Sequence, residues 1–185
     1  FEWFERSAKQ KNKFAQFSLA NLYYYGSGIE KDLSQAFLWY QRSSSQGQPY
    51  AAYSIAQMYR YGEYVTKDND TAQRYYKQAL SGFLKIESDD MANDDLFYKL
   101  GQMFKFGLGT DSDVTKAIEY FKRSAEMNNK NGFFEYGKAL LTGEHIPQDT
   151  DSAVKLLEKA VKLKNSNAKR FLALEYISGE HLEQD

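Results

Sequence analysis

The stretch Gly26-Ser-Gly-Ile-Glu-Lys-Asp32 decides the fold, because four further heptapeptides of the same form follow it along the chain. They begin at Gly62, Gly107, Gly143 and Gly179, and each ends in Asp. The leading glycines are 36, 45, 36 and 36 residues apart, so the irregular interval holds nine additional residues, which we place near 81–94. A fixed period of this length is typical of a protein built from one repeated supersecondary unit.

Helical patterns flank every loop. Ahead of the first loop, Ala15, Leu19 and Ala20 share one helical face, and the same offsets carry small or apolar residues in the other copies. The small residue six positions before the loop lets a neighbouring helix approach closely. A second helix is expected after each loop, with Ala four residues beyond the Asp and a bulky pair such as Trp39-Tyr40 further on.

Each loop carries its own helix-stop and helix-start signals. The leading Gly can end a helix in the left-handed conformation without a Cβ penalty. The closing Asp is a favourable N-cap, and Asp32 with Gln35 has the form of a capping box. Gly28 and Gly109 indicate a second left-handed bend. In the other loops the equivalent position carries a side chain: Tyr64, His145 and His181.

Composition narrows the class of protein. The 185 residues include 24 Lys or Arg and 25 Asp or Glu, and this balance argues against a dedicated nucleic-acid binder. The absence of Cys excludes disulfides, thiolate metal sites and a thiol nucleophile, and it leaves the cellular compartment open. No apolar run approaches the roughly 18 residues of a membrane-spanning helix. We expect no cofactor.

The repeats predict an all-α fold in which stacked helix pairs bury one another's apolar faces along an axis. We expect a single repeat domain over 1–185. Its predicted parts are a second helix of a truncated repeat at 1–12, repeats at 13–48, 49–93, 94–130 and 131–166, and a first helix at 167–185. The chain is thus expected to be a segment of a longer protein. Phe1, Trp3 and Phe4 are predicted to pack on a neighbouring molecule or to leave the first helix weak.

Residues Ala15 to Tyr40 follow the pattern Ala-(x)3-Leu-(Ala/Gly)-(x)2-Tyr-(x)2-Gly-x-Gly-(Ile/Val)-(x)2-Asp-(x)3-Ala-(x)2-Trp-Tyr. In this pattern the chain resembles the Sel-one-like repeat (SLR) family, which is related to tetratricopeptide repeats. The resemblance covers essentially the whole chain. It implies a right-handed α-solenoid superhelix of antiparallel helix pairs, used as a protein-binding scaffold or adaptor. The departures are the insertion and Leu156-Leu157, which replace the aromatic pair. A Cys-rich branch linked to β-lactam hydrolysis is no guide to this Cys-free chain.

A second likeness is to the repeat arrays at the ends of relaxases from Gram-positive mobile elements. It is carried by Ala52–Tyr59 and Phe97–Phe104. No relaxase catalytic motif is present, so this likeness concerns a parent protein only. It leaves open an alternative function as an architectural spacer or accessory repeat domain of a larger protein. A hydrolase is a third hypothesis, for which the sequence offers no convergent acid, base and nucleophile.

Candidate chemical groups have plainer interpretations. His145 and His181 occupy the same loop position in consecutive repeats, without the i, i+4 closeness of a helical zinc site, so we interpret both as solvated. Residues 43–45 are three serines without a nearby base, and we interpret them as a helix end.

Two charged groups stand out along the chain. The acidic group comprises Glu87, Asp89, Asp90, Asp94 and Asp95. Its spacing is not that of a calcium loop, so we expect a solvated helix start, with a partner contact or altered curvature as alternatives. The basic group comprises Lys155, Lys159, Lys162, Lys164, Lys169 and Arg170. These residues are spread around a helix and are expected to be solvated.

By analogy with tetratricopeptide grooves, a partner would contact residues nine, five, two and one positions before each loop Gly. The nine-back residues are Phe17, Tyr53, Tyr98 and Phe134, and the five-back residues are Asn21, Gln57, Gln102 and Lys138. The two-back residues include Tyr24, Arg60 and Lys105, and the one-back residues are Tyr25, Tyr61 and Phe106. These positions predict an aromatic row beside a row of amides, with Arg60 and Lys105 available to acidic partner residues. Alternatively, the nine-back aromatics belong to the helix-stacking core.

The expected partner is therefore a protein or peptide segment held in a concave groove. No small-molecule substrate, nucleic acid or membrane insertion is expected. The chain is predicted to be a monomer or to associate weakly through its truncated ends.

Overall fold

The computed structural model of the protein describes residues 2–182, and the side chains of residues 3–182. This part of the chain contains ten α-helices and no strand, which confirms the prediction of an all-α fold. It divides into two compact units, Phe1–Asp89 and Asp90–Asp185. Phe1, one of the aromatics predicted to be uncovered, lies outside the described residues, as does Asp185, which closes the fifth heptapeptide.

The first unit contains five helices. They are α1 (Glu2–Lys9), α2 (Lys13–Tyr25), α3 (Leu33–Ser45), α4 (Pro49–Tyr61) and α5 (Asn69–Ser88). The helices pack in chain order, with α2 on α3 and α4 on α5 as the two complete hairpins. Buried Leu19, Tyr40, Ile55 and Met58 form the centre of this unit, while Trp3 is largely exposed. Helix α5 has 20 residues against 13 in α3, so the longer repeat has a longer second helix.

The second unit also contains five helices. They are α6 (Asp94–Phe106), α7 (Val114–Glu126), α8 (Lys130–Thr142), α9 (Thr150–Lys162) and α10 (Ser166–Ser178). Consecutive helices pack together, and the first helices α6 and α8 also touch each other directly. The core of this unit includes Leu100, Phe121, Leu141 and Leu157.

The loops between paired helices repeat in atomic detail. Gly26 ends α2 at φ 69°, and the leading glycines of the other four loops have φ between 62° and 72°. The closing Asp of each described loop caps the next helix through its carboxylate, as predicted. Its backbone N–H donates to the carbonyl nine residues earlier: Asp32 to Tyr23, Asp68 to Tyr59, Asp113 to Phe104 and Asp149 to Leu140.

This recurrent backbone bond corrects one prediction. At Asp32 the side chain accepts from the N–H groups of Ser34 and Gln35, as an N-cap should. The second half of a capping box would need the Asp32 N–H, which instead donates to the Tyr23 carbonyl at 2.9 Å. The capping-box prediction is therefore wrong at Asp32, because closing the loop takes the only available donor.

The second left-handed bend tolerates side chains, as the sequence required. Gly28 and Gly109 have φ of 77° and 73°, while Tyr64 and His145 have φ of 66° and 65° at the equivalent position. A non-glycine residue in this region carries backbone strain of about 1–3 kcal/mol. The loop therefore holds these residues in a conformation that their own backbone preference opposes.

Candidate functional site

The candidate surface lies on the first helix of each repeat. Helices α2 and α4 carry the predicted residues of the first unit, and α6 and α8 carry those of the second. Each helix is fixed at its C-terminal end by the glycine cap and by the backbone bond from the following Asp. The last turn of each first helix therefore has a defined position within its own hairpin.

The nine-back aromatics pack within the helix stack. Tyr53 is only 6% exposed, and its ring centroid lies 5.4 Å from that of Tyr76, so it belongs to the core rather than to an open row. The others are half-buried, with ring contacts at 5.9–6.0 Å: Phe17 with Tyr40 and Tyr50, Tyr98 with Phe121, and Phe134 with Phe171. These contacts favour the alternative that the nine-back rings serve helix stacking.

The five-back residues do not form a uniform row of free amides. The Asn21 Oδ1 accepts from the Tyr40 hydroxyl at 2.6 Å, while the Gln102 Nε2 donates to the Tyr98 hydroxyl at 2.9 Å. Burial, followed by the nearby Glu135 and Asp95 carboxylates, raises the pKa of Tyr98 to about 12, so its hydroxyl stays protonated. Two of the predicted amides are thus engaged within their own unit.

Large exposed rings occur one position before the loop glycine. Tyr25 is 71% exposed, Tyr61 62% and Phe106 53%. We call these three residues the helix-end aromatics. A neighbouring residue lies beside each ring. The Tyr24 ring lies edge-on to the Tyr25 ring, with the ring centroids 4.9 Å apart. Arg60 lies 5.6 Å from the centre of the Tyr61 ring, and Lys105 lies 5.4 Å from that of Phe106. The exposed aromatics of both units are therefore at the one-back position.

The junction between consecutive repeats is bounded by a first helix, the N-terminal half of a second helix and the loop after the next first helix. In the first unit, side chains of the chain fill this junction. The Tyr24 hydroxyl donates to the Glu63 carboxylate. Burial and this acceptor raise the pKa of Tyr24, so the proton stays on the phenol. The Tyr64 ring lies 5.6 Å from the Phe37 ring, and its hydroxyl donates to the Ser34 Oγ at 3.2 Å. Rings of the chain itself thus cover this junction.

The same junction in the second unit has different residues. Gly107 follows Gly26 by 81 residues, and this offset relates Tyr24 to Lys105, Phe37 to Ile118, Glu63 to Glu144 and Tyr64 to His145. The Lys105 Nζ lies 2.7 Å from the Glu135 Oε2 rather than near Glu144. His145 is exposed. The result is a cleft of about 150 Å³, the α6–α8 cleft, lined by Lys105, Ala117, Ile118, Phe121, Ala139 and His145, among others.

Sequence reasoning missed the α6–α8 cleft, although it singled out Lys105 and His145 separately. Neither residue type marks a cleft on its own, because the opening depends on the loss of three aromatic rings. The available signal was the 81-residue alignment of the two junctions, which shows Ile118 and His145 where the first unit has Phe37 and Tyr64.

The other candidate groups have structural roles or none. The interpretation of His181 as solvated is wrong, because its side chain is half-buried and its Nδ1 lies 2.8 Å from the Glu175 Oε2. In the acidic group, Asp94 accepts from the Asn129 Nδ2 at 2.9 Å. In the basic group, the Lys159 Nζ lies 5.5 Å from the Phe133 ring.

Across residues 2–182, no group of three His, Asp or Glu side chains is arranged to hold a metal ion. None of the described helices has the length and apolarity needed to cross a bilayer.

Comparison with known families identifies the repeat. The Sel1 repeat model matches residues 1–12, 13–48, 49–82, 98–129 and 134–165. The match covers most of the chain and includes the first four glycine-led loops. Comparison with curated proteins found no match. The likeness to relaxase repeat arrays stays a prediction.

Solved structures show the same fold. A Sel1 repeat protein from Oxalobacter formigenes has a TM-score of 0.69 and 24% identity, over 97% of this chain and 69% of its own. A protective antigen of uropathogenic Escherichia coli strains, which displays an SLR fold, has a TM-score of 0.67 and 24% identity. It is matched over 100% of this chain and 38% of its own length, so this chain spans well under half of that antigen. The predicted α-solenoid fold of Sel-one-like repeats is confirmed.

Proposed function

The chain belongs to the Sel1 repeat family, and from that premise we propose that it is a non-enzymatic scaffold that binds a protein or peptide segment. Proteins of this family generally serve as protein–protein interaction scaffolds. The proposed contact surface of each unit is formed by the last turns of its own first helices. It comprises Tyr25, Arg60 and Tyr61 in the first unit and Lys105 and Phe106 in the second, all of which the sequence prediction named.

The observation that carries the proposal is the exposure of the helix-end aromatics. Three large rings stand in solvent at equivalent positions, although each neighbouring helix face is well packed. Tyr and Phe offer large contact area with few rotatable bonds, which is why such residues dominate binding hot spots. Repetition at one register position indicates a surface property of the repeat rather than a single misplaced ring.

In each unit a basic side chain lies beside a helix-end aromatic. The Arg60 guanidinium lies beside Tyr61, and Lys105 lies beside Phe106. A partner segment with an acidic residue next to an apolar one would gain a charge contact at the point where it covers a ring. Lys105 is already paired with Glu135, so Arg60 is the stronger candidate for a partner carboxylate.

Site-specific photo-cross-linking tests the proposal. The photoreactive residue p-benzoylphenylalanine replaces Tyr61 in one variant and Leu38, an exposed apolar residue of the second helix α3, in a matched control. We expect a discrete cross-linked protein from position 61 and none from position 38, in lysate of the source cells. Equal labelling at both positions, or none at either, would instead favour the architectural spacer.

A further inference from the structure

The α6–α8 cleft and its counterpart in the first unit have the same backbone frame but different contents. Both are bounded by a first helix, the N-terminal half of a second helix and the loop after the next first helix. In the first unit, Tyr64 packs against Phe37 and Tyr24 binds Glu63. In the second unit no tyrosine occupies either position, and the space is open.

We propose that the α6–α8 cleft is a socket for one tyrosine side chain of the protein partner. This inference rests on the proposed scaffold function and specifies one contact of the bound segment. The partner's ring would take the place that the chain's own rings take in the first unit. The occupant is therefore argued from the way in which the same repeat fills the same junction 81 residues earlier.

The size and floor of the cleft suit one aromatic ring. Its volume is about 150 Å³. A cavity of about 150 Å³ lined by apolar side chains is known to accept benzene. Ala117, Ile118 and Phe121 form an apolar floor, and all three are buried. A ring placed there would remove its own apolar surface from water.

The rim of the cleft favours a neutral hydrogen-bond donor. Lys105 and Glu135 are paired at 2.7 Å and compensate each other's charge, which leaves Lys138 and Glu144 with one charge of each sign. The Glu144 carboxylate has no hydrogen-bond or ion-pair partner within the described chain. Its counterpart Glu63 accepts from a tyrosine hydroxyl. A partner phenol can therefore donate to Glu144.

A titration of the whole chain with N-acetyl-tyrosinamide tests the socket. In ¹³C-methyl NMR spectra, we expect saturating shifts of the Ala117 and Ala139 methyl groups with a midpoint in the millimolar range, as a ligand of this size allows. The Ala36 methyl, which is the counterpart of Ala117 in the filled junction, should not move.

Two variants distinguish the contribution of the tyrosine ring to binding from that of its hydroxyl. The double variant Ile118→Phe/His145→Tyr installs the residues of the first unit and should weaken binding at least tenfold, whereas Met127→Tyr, outside the cleft, should leave binding unchanged. Glu144→Ala, which removes the acceptor, should weaken binding of N-acetyl-tyrosinamide about fivefold, the worth of one modest hydrogen bond, and leave N-acetyl-phenylalaninamide unaffected.

The results that overturn the socket are distinct from those that overturn the scaffold function. Absence of Ala117 shifts up to the solubility limit of the probe, or equal binding by the double variant with an otherwise unchanged spectrum, would contradict the socket. Neither result affects cross-linking at position 61, which lies in the other unit. If the probe binds the cleft but no partner is cross-linked at position 61, the cleft remains a binding site. The proposal that this site belongs to a protein-binding scaffold would then be contradicted.

Discussion

The two repeat junctions, at Tyr24–Tyr64 and at Lys105–His145, have the same loops and helix caps. Their surfaces differ, because side chains cover the first junction and leave the second open. In the first unit, three aromatic rings and a phenol–carboxylate bond cover the junction. In the second, an ion pair and an exposed histidine leave an open cleft. The comparison shows that a few side-chain positions decide whether a junction is closed, while glycine, aspartate and the recurrent backbone bond maintain the frame.

The largest expected difference concerns how closely the helices approach within a hairpin. Ala20 in α2 and Gly101 in α6 are equivalent, but a Cβ on Gly101 would lie 2.5 Å from the Phe121 ring. We expect Gly101→Ala to lower the free energy of unfolding by about 2 kcal/mol, because overpacking outweighs the better helix propensity of Ala. Urea unfolding of the whole chain measures this.

The matched substitution in the first unit is Ala20→Gly. Its expected loss is smaller, about 1 kcal/mol, and arises from the added backbone freedom of Gly in a helix. If Gly101→Ala instead stabilised the chain, the close contact between α6 and Phe121 would be contradicted.

A smaller effect, different in the two units, is expected at the left-handed loop position. His145→Gly should raise the free energy of unfolding by about 1 kcal/mol, because Gly relieves the strain at φ 65° and His145 has little packing to lose. Tyr64→Gly relieves the same strain but loses the ring contact with Phe37, so it should be neutral or destabilising. Thermal unfolding of the two variants measures these effects. A shift of both melting temperatures in the same direction would contradict the expected difference between the two loops.

The smallest expected effect is a pH dependence shared by the two units. Hydrogen bonds from the Thr71 side chain and backbone lower the pKa of Asp68, and those from Ser152 lower the pKa of Asp149. A lowered pKa in the folded state means that both carboxylates stabilise the fold above the ordinary Asp pKa of about 3.9. That contribution is lost as the pH falls below this value and through the lowered pKa.

Asp68→Asn tests this linkage, because Asn remains a favourable N-cap without titrating. The variant should lose less stability between pH 7 and pH 3 than the parent chain does, when both are followed by urea unfolding. An identical loss in both proteins would assign the acid sensitivity to other groups.

Much of the helix-pair architecture could be predicted from the sequence, because the residues that end one helix and start the next act locally. Gly26 and Asp32 act within one loop, and their spacing alone predicts a helix end and a helix start. The long α5 corresponds to the insertion noticed between Gly62 and Gly107. Helix-pair stacking follows because amphipathic hairpins must bury their faces against a neighbour.

The candidate site was less predictable because exposure depends on neighbours from other repeats. Tyr53 and Tyr61 are both aromatic and lie eight residues apart in one helix, yet Tyr53 is enclosed by Tyr76 and Phe83 while Tyr61 stands in solvent. No local signal separates the two residues. The openness of the α6–α8 cleft likewise depends on which rings are missing from a non-local contact.

The most direct test of the account is the affinity of the cross-linked partner for variants of the helix-end aromatics. Tyr25→Ala/Tyr61→Ala should weaken binding at least tenfold, since a buried aromatic hot spot contributes about 2 kcal/mol. The control Phe14→Ala/Leu38→Ala removes two exposed apolar side chains elsewhere in the same unit and should leave the affinity unchanged. Unchanged binding by the tyrosine variant, or equal losses in both variants, would contradict the proposed interaction surface.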